Sequence, residues 1–184
     1  MSLLLRGEGL ALVRGGRLLF EGLDLTLAAG EALHVTGPNG CGKSSLIRLV
    51  AGLLRQNAGN VKRDAKVALA DEHLALDREL PLRRALGLWV PNYPLDRALE
   101  LMGIDDLAEI PVRLLSTGQA RKARLVRVVA SDARIWLLDE PLNGLDADGS
   151  KRLMLVIDAH RRSGGVVVAA SHGALDGDWR ELAL

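Results

Sequence analysis

VTGPNGCGKSSLIRLVAGLL, residues Val35–Leu54, is the stretch that decides the fold. A strand ending, Val35-Thr36, leads into Gly37, Gly40 and Gly42; a lysine and two serines follow, and apolar residues then recur at helical spacing. The run Gly37-Pro38-Asn39-Gly40-Cys41-Gly42-Lys43-Ser44 satisfies G-x-x-x-x-G-K-[ST] in full, between an expected strand and an expected helix. Its glycines permit a tight turn whose backbone N–H groups converge as a nest for anionic oxygens, and the helix starting near Lys43 adds its positive N-terminal end. Lys43 is expected to reach the β- and γ-phosphates of a nucleotide, and the Ser44 hydroxyl to ligate Mg²⁺. Leu46, Leu49, Val50 and Leu53 are expected to form the buried face of the helix, with Gly52 loosening its end. Cys41 reads as a small residue tolerated where bulk is limited. A glycine-rich turn with no ligand is the plain alternative, and the motif in its proper strand–turn–helix context outweighs it.

Around this loop the chain of 184 residues is long enough for one well-cored domain, with 48% hydrophobic and 26% charged residues. A net charge of +1 argues against a protein that coats polyanions, so no direct contact with nucleic acid is expected. One cysteine excludes an internal disulfide framework and suits a reducing compartment. No signal peptide is expected, and no apolar run reaches the roughly 18 residues of a membrane span. A cytoplasmic protein is the expectation, anchored by something else if it works at a membrane.

Strands are expected near Asp24–Leu27, Ala32–Thr36, Lys66–Ala70, Ile135–Leu138 and Val166–Ala170, and helices at Lys43–Leu54, Leu95–Met102, Thr117–Ser131 and Gly149–Ser163. The runs IWLL and VVVAA are continuous and apolar, as in strands covered on both faces. Alternating strands and helices imply an α/β fold with a mostly parallel core sheet. The stretch Leu80–Leu114, punctuated by Pro91, Pro94 and Pro111, breaks the rhythm and reads as an inserted helical piece.

RIWLLDEPLNGLD sets four apolar residues before Asp139 and Glu140. Such a strand delivers Asp139 beside the phosphate loop, where it helps hold Mg²⁺, while Glu140 positions an attacking water. Alone, the pair would read as an ordinary strand end; with the loop upstream it reads as the second half of a nucleotide site. Ser116 and Gln119 have the spacing of a capping box, yet a cap requires neither Gly118 nor the basic run Arg121, Lys122, Arg124 and Arg127. His172, after the last apolar run, either contacts a γ-phosphate or is a satisfied histidine at a strand end.

Taken in order, these residues resemble the ATP-binding subunits of ABC transporters. Gly37–Ser45 matches the Walker A motif, Leu115-Ser116-Thr117-Gly118-Gln119 is similar to the LSGGQ signature, Ile135–Glu140 to Walker B with its catalytic glutamate, Asn143–Asp146 to the D-loop, and His172 to the switch histidine. The resemblance implies a P-loop NTPase fold with N-terminal antiparallel strands and a helical subdomain over about 73–132, inserted in a RecA-like core. It implies ATP and Mg²⁺ as ligands, with Ser44 and Asp139 at the metal. Glu140 and His172 are the implied catalytic residues, and Pro38, Asn39, Cys41, Ser45, Ser116, Thr117, Gly118 and Gln119 join the loop glycines and lysine as nucleotide contacts. Within the family, LSTGQARKARLVRVVASDARIWLLDEPLNGLD is most similar to the ATP-binding subunit of the cytochrome c maturation haem exporter.

With one phosphate loop and one signature per chain, the resemblance implies that two copies close around ATP. It further implies a separate integral membrane permease, haem-handling in this subfamily, docked near Leu82–Asp106, with the chain peripheral on the inner face of the cell membrane. Trp89 and Tyr93 are candidate contacts there, beside a packing role inside the subdomain. A soluble ABC-type ATPase acting on DNA or the ribosome is the alternative, supported only by the basic run after Gln119. Three positions depart from the family pattern. Arg14 or Val13 stands where an aromatic ring would stack on adenine; Arg14 either stacks by cation–π contact or is a solvated turn residue. Glu72 or His73 replaces the glutamine that links nucleotide to membrane partner. Thr117 replaces a glycine of the signature, leaving the Ser116 hydroxyl and the Gly118 N–H available.

Overall fold

The computed structural model describes residues 2–71, 76–90 and 95–184. In chain order its elements are β1 (Leu3–Arg14), β2 (Arg17–Ala28), β3 (Ala32–Thr36), α1 (Lys43–Val50), β4 (Ala58–Arg63) and β5 (Val67–Ala70). There follow α2 (Leu82–Gly87), α3 (Leu95–Met102), single 3₁₀ turns at Asp105–Leu107 and Val112–Leu114, α4 (Thr117–Val129), β6 (Ile135–Asp139), α5 (Ala147–Arg162), β7 (Val166–Ala170) and β8 (Arg180–Ala183).

The strands form two sheets. One is antiparallel, in the order β2-β1-β4; the other is parallel, in the order β5-β6-β7-β3-β8. The apolar runs are buried on both faces, and the period of two sorts them. Ile135, Leu137, Val166, Val168 and Ala170 pack with α1 and the antiparallel sheet, whereas Trp136, Leu138, Val167 and Ala169 pack with α3, α4 and α5. Each such side chain taken fully out of water contributes about 1.5–3 kcal/mol. An alternating amphipathic strand could not supply both cores, which is why IWLL and VVVAA carry no polar residue.

The order β6-β7-β3 has a functional consequence. These three neighbours run parallel, so their C-terminal ends release Asp139-Glu140, Ser171-His172 and the Gly37–Gly42 loop at one edge of the sheet. That edge is where ligands bind in open α/β sheets.

The expected helix Lys43–Leu54 ends earlier, at Val50. Gly52 takes a left-handed φ of 82°, and the Leu53 N–H turns back to the Arg48 carbonyl at 2.9 Å. Leu46, Leu49 and Val50 are buried as expected, joined by Ile47, but Leu53 is 63% exposed and leaves the apolar face. The helix expected at Gly149–Ser163 begins two residues earlier, because the Asp146 carboxylate caps it by accepting from the Gly149 N–H at 2.7 Å. The strand expected at Asp24–Leu27 is the C-terminal part of the longer β2; β1 was not placed individually from the sequence, and neither were β4 and β8. The last two are exposed edge strands without the alternation that marks a half-buried one. Between β5 and β6 the described residues are helical or irregular apart from one bridge, Pro81 to Pro111, the two prolines that precede α2 and the second 3₁₀ turn.

Candidate functional site

Gly37, Gly40 and Gly42 all have positive φ (139°, 77° and 121°), a conformation that side chains resist. At Gly37 a Cβ would also lie 2.8 Å from the Leu184 carbonyl and 2.9 Å from Cys41 Sγ, so the first glycine is required by space as well. The loop curls around the Lys43 ammonium, which donates to the Gly37 carbonyl at 2.8 Å and the Pro38 carbonyl at 3.2 Å, and lies 3.4 Å from His172 Nδ1. Lys43 is only 6% exposed. A buried ammonium whose three contacts are to neutral groups is a cation in want of an anion, so the loop fits a polyphosphate.

Because an ammonium only donates, His172 Nδ1 must accept from Lys43, which puts the ring proton on Nε2. That nitrogen lies 3.3 Å from Glu140 Oε1. Glu140 has a left-handed φ of 49°, unusual for a residue with a side chain. Its N–H bonds the Ala170 carbonyl at 2.8 Å, so the pairing of β6 with β7 continues one residue past β6 and holds the twist. The turn carrying His172 is braced from within: buried His34 lies 2.9 Å from Ser171 Oγ, which donates to the Gly173 carbonyl at 2.6 Å. With the Ser171 proton committed to Gly173, His34 Nε2 is the donor.

Ser44 Oγ donates to Asp139 Oδ1 at 3.0 Å, and Asp139 is 7% exposed. Mg²⁺ needs no all-protein cage; one or two such oxygens, completed by waters and phosphate oxygens, fit it. Among the described residues no three His, Cys, Asp or Glu side chains gather into a metal cluster. A cavity of about 590 Å³ is lined by Asn39, Gly40, Gly42, Lys43, Ser44, Ser45, Glu140 and His172, with Arg14, Leu19 and Asn143 at its walls.

The signature segment lies elsewhere. Ser116 and Gln119 form the capping box their spacing announced: the Gln119 N–H donates to Ser116 Oγ at 3.3 Å, and the Ser116 N–H to Gln119 Oε1 at 2.8 Å. None of Ser116, Thr117, Gly118 or Gln119 lines the phosphate-loop cavity; Thr117 instead lines a neighbouring one of about 310 Å³ with Arg121, Arg124, Asp139, Glu140 and Asn143. Glu140 and Asn143 therefore stand between the two hollows. Asn143 lines both, though the sequence marked it only as part of a motif.

Three of the four cations in the basic run of α4 are engaged within the molecule. Arg121 lies across Gly144, Lys122 pairs with Asp146 at 3.1 Å, and Arg124 and Arg127 donate to the Asp71 and Leu69 carbonyls at 2.5 and 3.0 Å. The Gly149 N–H and then Lys122 hold the Asp146 carboxyl below the usual carboxylate range, while burial lowers Arg127 against the pull of Asp71. Arg127 also lies over the half-exposed Trp89 ring, 4.8 Å from its centroid. Glu72, His73 and Tyr93 lie outside the described residues, as do Pro91 and Pro94.

The family model described as ABC transporter matches residues 20–143, from β2 to the turn after Glu140. The chain belongs to the ABC transporter ATP-binding family. As an ABC ATPase it binds and hydrolyses ATP, and its family serves membrane partners. It is similar to the cytochrome c biogenesis ATP-binding export protein CcmA of Sphingopyxis alaskensis, 56% identical over 180 residues that cover 95% of this chain and 93% of that one. The protein of the same name from Zymomonas mobilis is 49% identical over 180 residues, covering 94% and 80%. Among solved structures, an ATP-binding subunit of an ABC transporter superposes with a TM-score of 0.83 at 20% identity, covering 92% of this chain and 79% of that one. A nucleotide-free ATP-binding cassette gives 0.76 at 18% identity, covering 93% and 82%. The fold of this ABC ATPase is thus the one its motifs implied, and no helix among the described residues is long and apolar enough to cross a membrane.

Proposed function

We propose that the chain is the ATP-hydrolysing subunit of a cytochrome c biogenesis export system, working on a separate integral membrane permease that handles haem. The observation that carries this reading is the 56% identity, over nearly the whole chain, to a relative of that name. The alternative of a DNA- or ribosome-directed ATPase loses most of its one support, since three of the four cations of α4 have partners within the chain.

In this reading the loop N–H groups and Lys43 hold the phosphates. Ser44 and Asp139 hold Mg²⁺, which when bound neutralises phosphate charge. His172, fixed by Lys43 and His34–Ser171, presents its Nε2–H to Glu140, and Glu140 orients the attacking water. Ser116, Thr117, Gly118 and Gln119 lie off the loop's own cavity and serve the loop of a second copy, giving a homodimer with two equivalent composite sites. Residues about 73–132 act as the helical subdomain that meets the permease; Leu88, Trp89 and Leu114 there are exposed apolar side chains. The protein then sits in the cytoplasm, peripheral on the inner face of the membrane.

Affinity purification of the full chain from membranes in mild detergent tests the assignment. Co-purification of an integral membrane protein together with haem-handling proteins supports it; recovery of ribosomes or DNA instead would overturn it.

A further inference from the structure

The hairpin tip Arg14-Gly15-Gly16-Arg17 is exposed, and it stands beside the phosphate loop. Gly15 and Gly16 have φ of 55° and 76°, the paired left-handed values of a tight two-residue turn, and Arg14 pairs with Arg17 across it. The strand end is pinned from outside as well: the Val13 N–H donates to Asn57 Oδ1 at 2.7 Å, and the Asn57 N–H to the Ala11 carbonyl at 2.8 Å. From this fixed tip Arg14 reaches inward, and its Nη1 donates to Ser45 Oγ at 3.3 Å. Ser45 is 7% exposed and lies in the first turn of α1, immediately after Lys43 and Ser44. The guanidinium therefore lies at the phosphate end of the cavity, beside the positive terminus of the helix.

The walls say the same from the other side. Among the described residues Leu19 is the one apolar side chain lining this cavity, and none of its lining residues is Phe, Tyr or Trp. The nearby Phe20 is buried in the core; Trp89, Trp136 and Trp179 are engaged with Arg127, His160 and the Asp176 carbonyl. Among the described residues a base entering here meets no Phe, Tyr or Trp ring, while the phosphates meet two cations.

We propose that Arg14 is a second cation for the polyphosphate tail, not a platform for the base, so that this site reads nucleoside triphosphates through their phosphates and discriminates weakly among bases. The inference rests on the nucleotide-site reading above and deepens it. A guanidinium fork suits phosphate oxygens bidentately, and it is already within reach of the hydroxyl that flanks the loop.

Isothermal titration of the full chain with MgATP, MgGTP and magnesium tripolyphosphate, which has no base, tests this. Wild-type affinities for ATP and GTP are expected within about threefold of one another. Arg14→Ala is expected to weaken all three ligands by a similar, roughly tenfold factor, the size of one charged hydrogen bond. Arg14→Lys should recover part of the loss, and Arg14→Tyr none. Restoration of ATP binding by Arg14→Tyr, with tripolyphosphate indifferent to Arg14→Ala, would overturn the proposal in favour of stacking; unchanged affinity in Arg14→Ala would overturn any contact. Lys43→Ala is the control: if it too binds all three ligands normally, the nucleotide-site reading itself has failed.

Discussion

Replacing Lys43 by methionine separates what the lysine does for ligand from what it does for the fold. Methionine keeps the length and the apolar stem but deletes an ammonium that is 6% exposed. In the ligand-free protein that ammonium satisfies the Gly37 and Pro38 carbonyls at 2.8 and 3.2 Å, contacts that water can replace in an open loop. Their loss, about 1 kcal/mol each, is offset by relief from burying an unpaired charge. The net change in stability is expected within about 1 kcal/mol, or 2–4 °C in Tm for a chain of this size. With nucleotide present the balance reverses, because removing one partner of a buried ion pair costs about 3–5 kcal/mol, a rise in Kd of roughly two to three and a half orders of magnitude. Scanning fluorimetry reads both effects. Nucleotide at 100 times the wild-type Kd stabilises the wild type by about 2.7 kcal/mol, hence by roughly 5–10 °C, and should leave Lys43→Met unmoved. A ligand-free variant that melts more than about 10 °C lower would show Lys43 to be a strut of the loop, and a wild-type-sized nucleotide shift would refute its role as the phosphate's counter-charge.

Glu140→Gln is expected to keep nucleotide affinity, lose turnover by orders of magnitude and form a dimer with ATP but not ADP on light scattering, since a ligand shifts an equilibrium only by differential affinity. Adding Gly118→Asp should abolish that dimer without unfolding the monomer, because a Cβ at Gly118 meets only the Gly144 carbonyl at an ordinary 3.5 Å; a dimer indifferent to it would refute the composite site. His160, stacked on Trp136 at 3.7 Å, is lowered to about 4 by burial, so it stays neutral in the folded chain while the unfolded chain protonates near 6.5. Its contribution is therefore complete above pH 6.5 and is lost as pH falls from 6.5 toward 4, by about 2 kcal/mol after allowance for its partial exposure. Urea midpoints for His160→Phe, which retains a flat ring, should show a shallower loss across that window; an unchanged slope would refute the assignment.

Much of the site was legible in the sequence because its parts are local. The phosphate loop needs closely spaced glycines and a helix start, the capping box needs Ser116 three residues before Gln119, and the carboxylates follow directly from an apolar run. Each is a short-range requirement that composition and spacing display. The two-sided burial of Ile135–Leu138 and Val166–Ala170 was legible for the same reason, since both runs carry no polar residue. The end of α1 was read too late because apolar spacing continues to Leu53, while the backbone turns at Gly52.

What only the tertiary structure decided is which of these pieces meet, and to what the charges are committed. The sheet order β6-β7-β3, invisible along the chain, brings Glu140, His172 and Lys43 into one chain of contacts across 129 positions of sequence, and sets His34 under the Ser171 turn. It also turned two surface readings inward. The basic run of α4 was the support for a DNA- or ribosome-directed reading, but Lys122 pairs with Asp146 and Arg124 and Arg127 with carbonyls; Arg14, at a solvent-facing turn, reaches the helix terminus beside Lys43. Periodicity reports the face a residue occupies. A long cationic side chain can travel several ångströms from that face to an acceptor, and only the packed elements determine which acceptor is in reach.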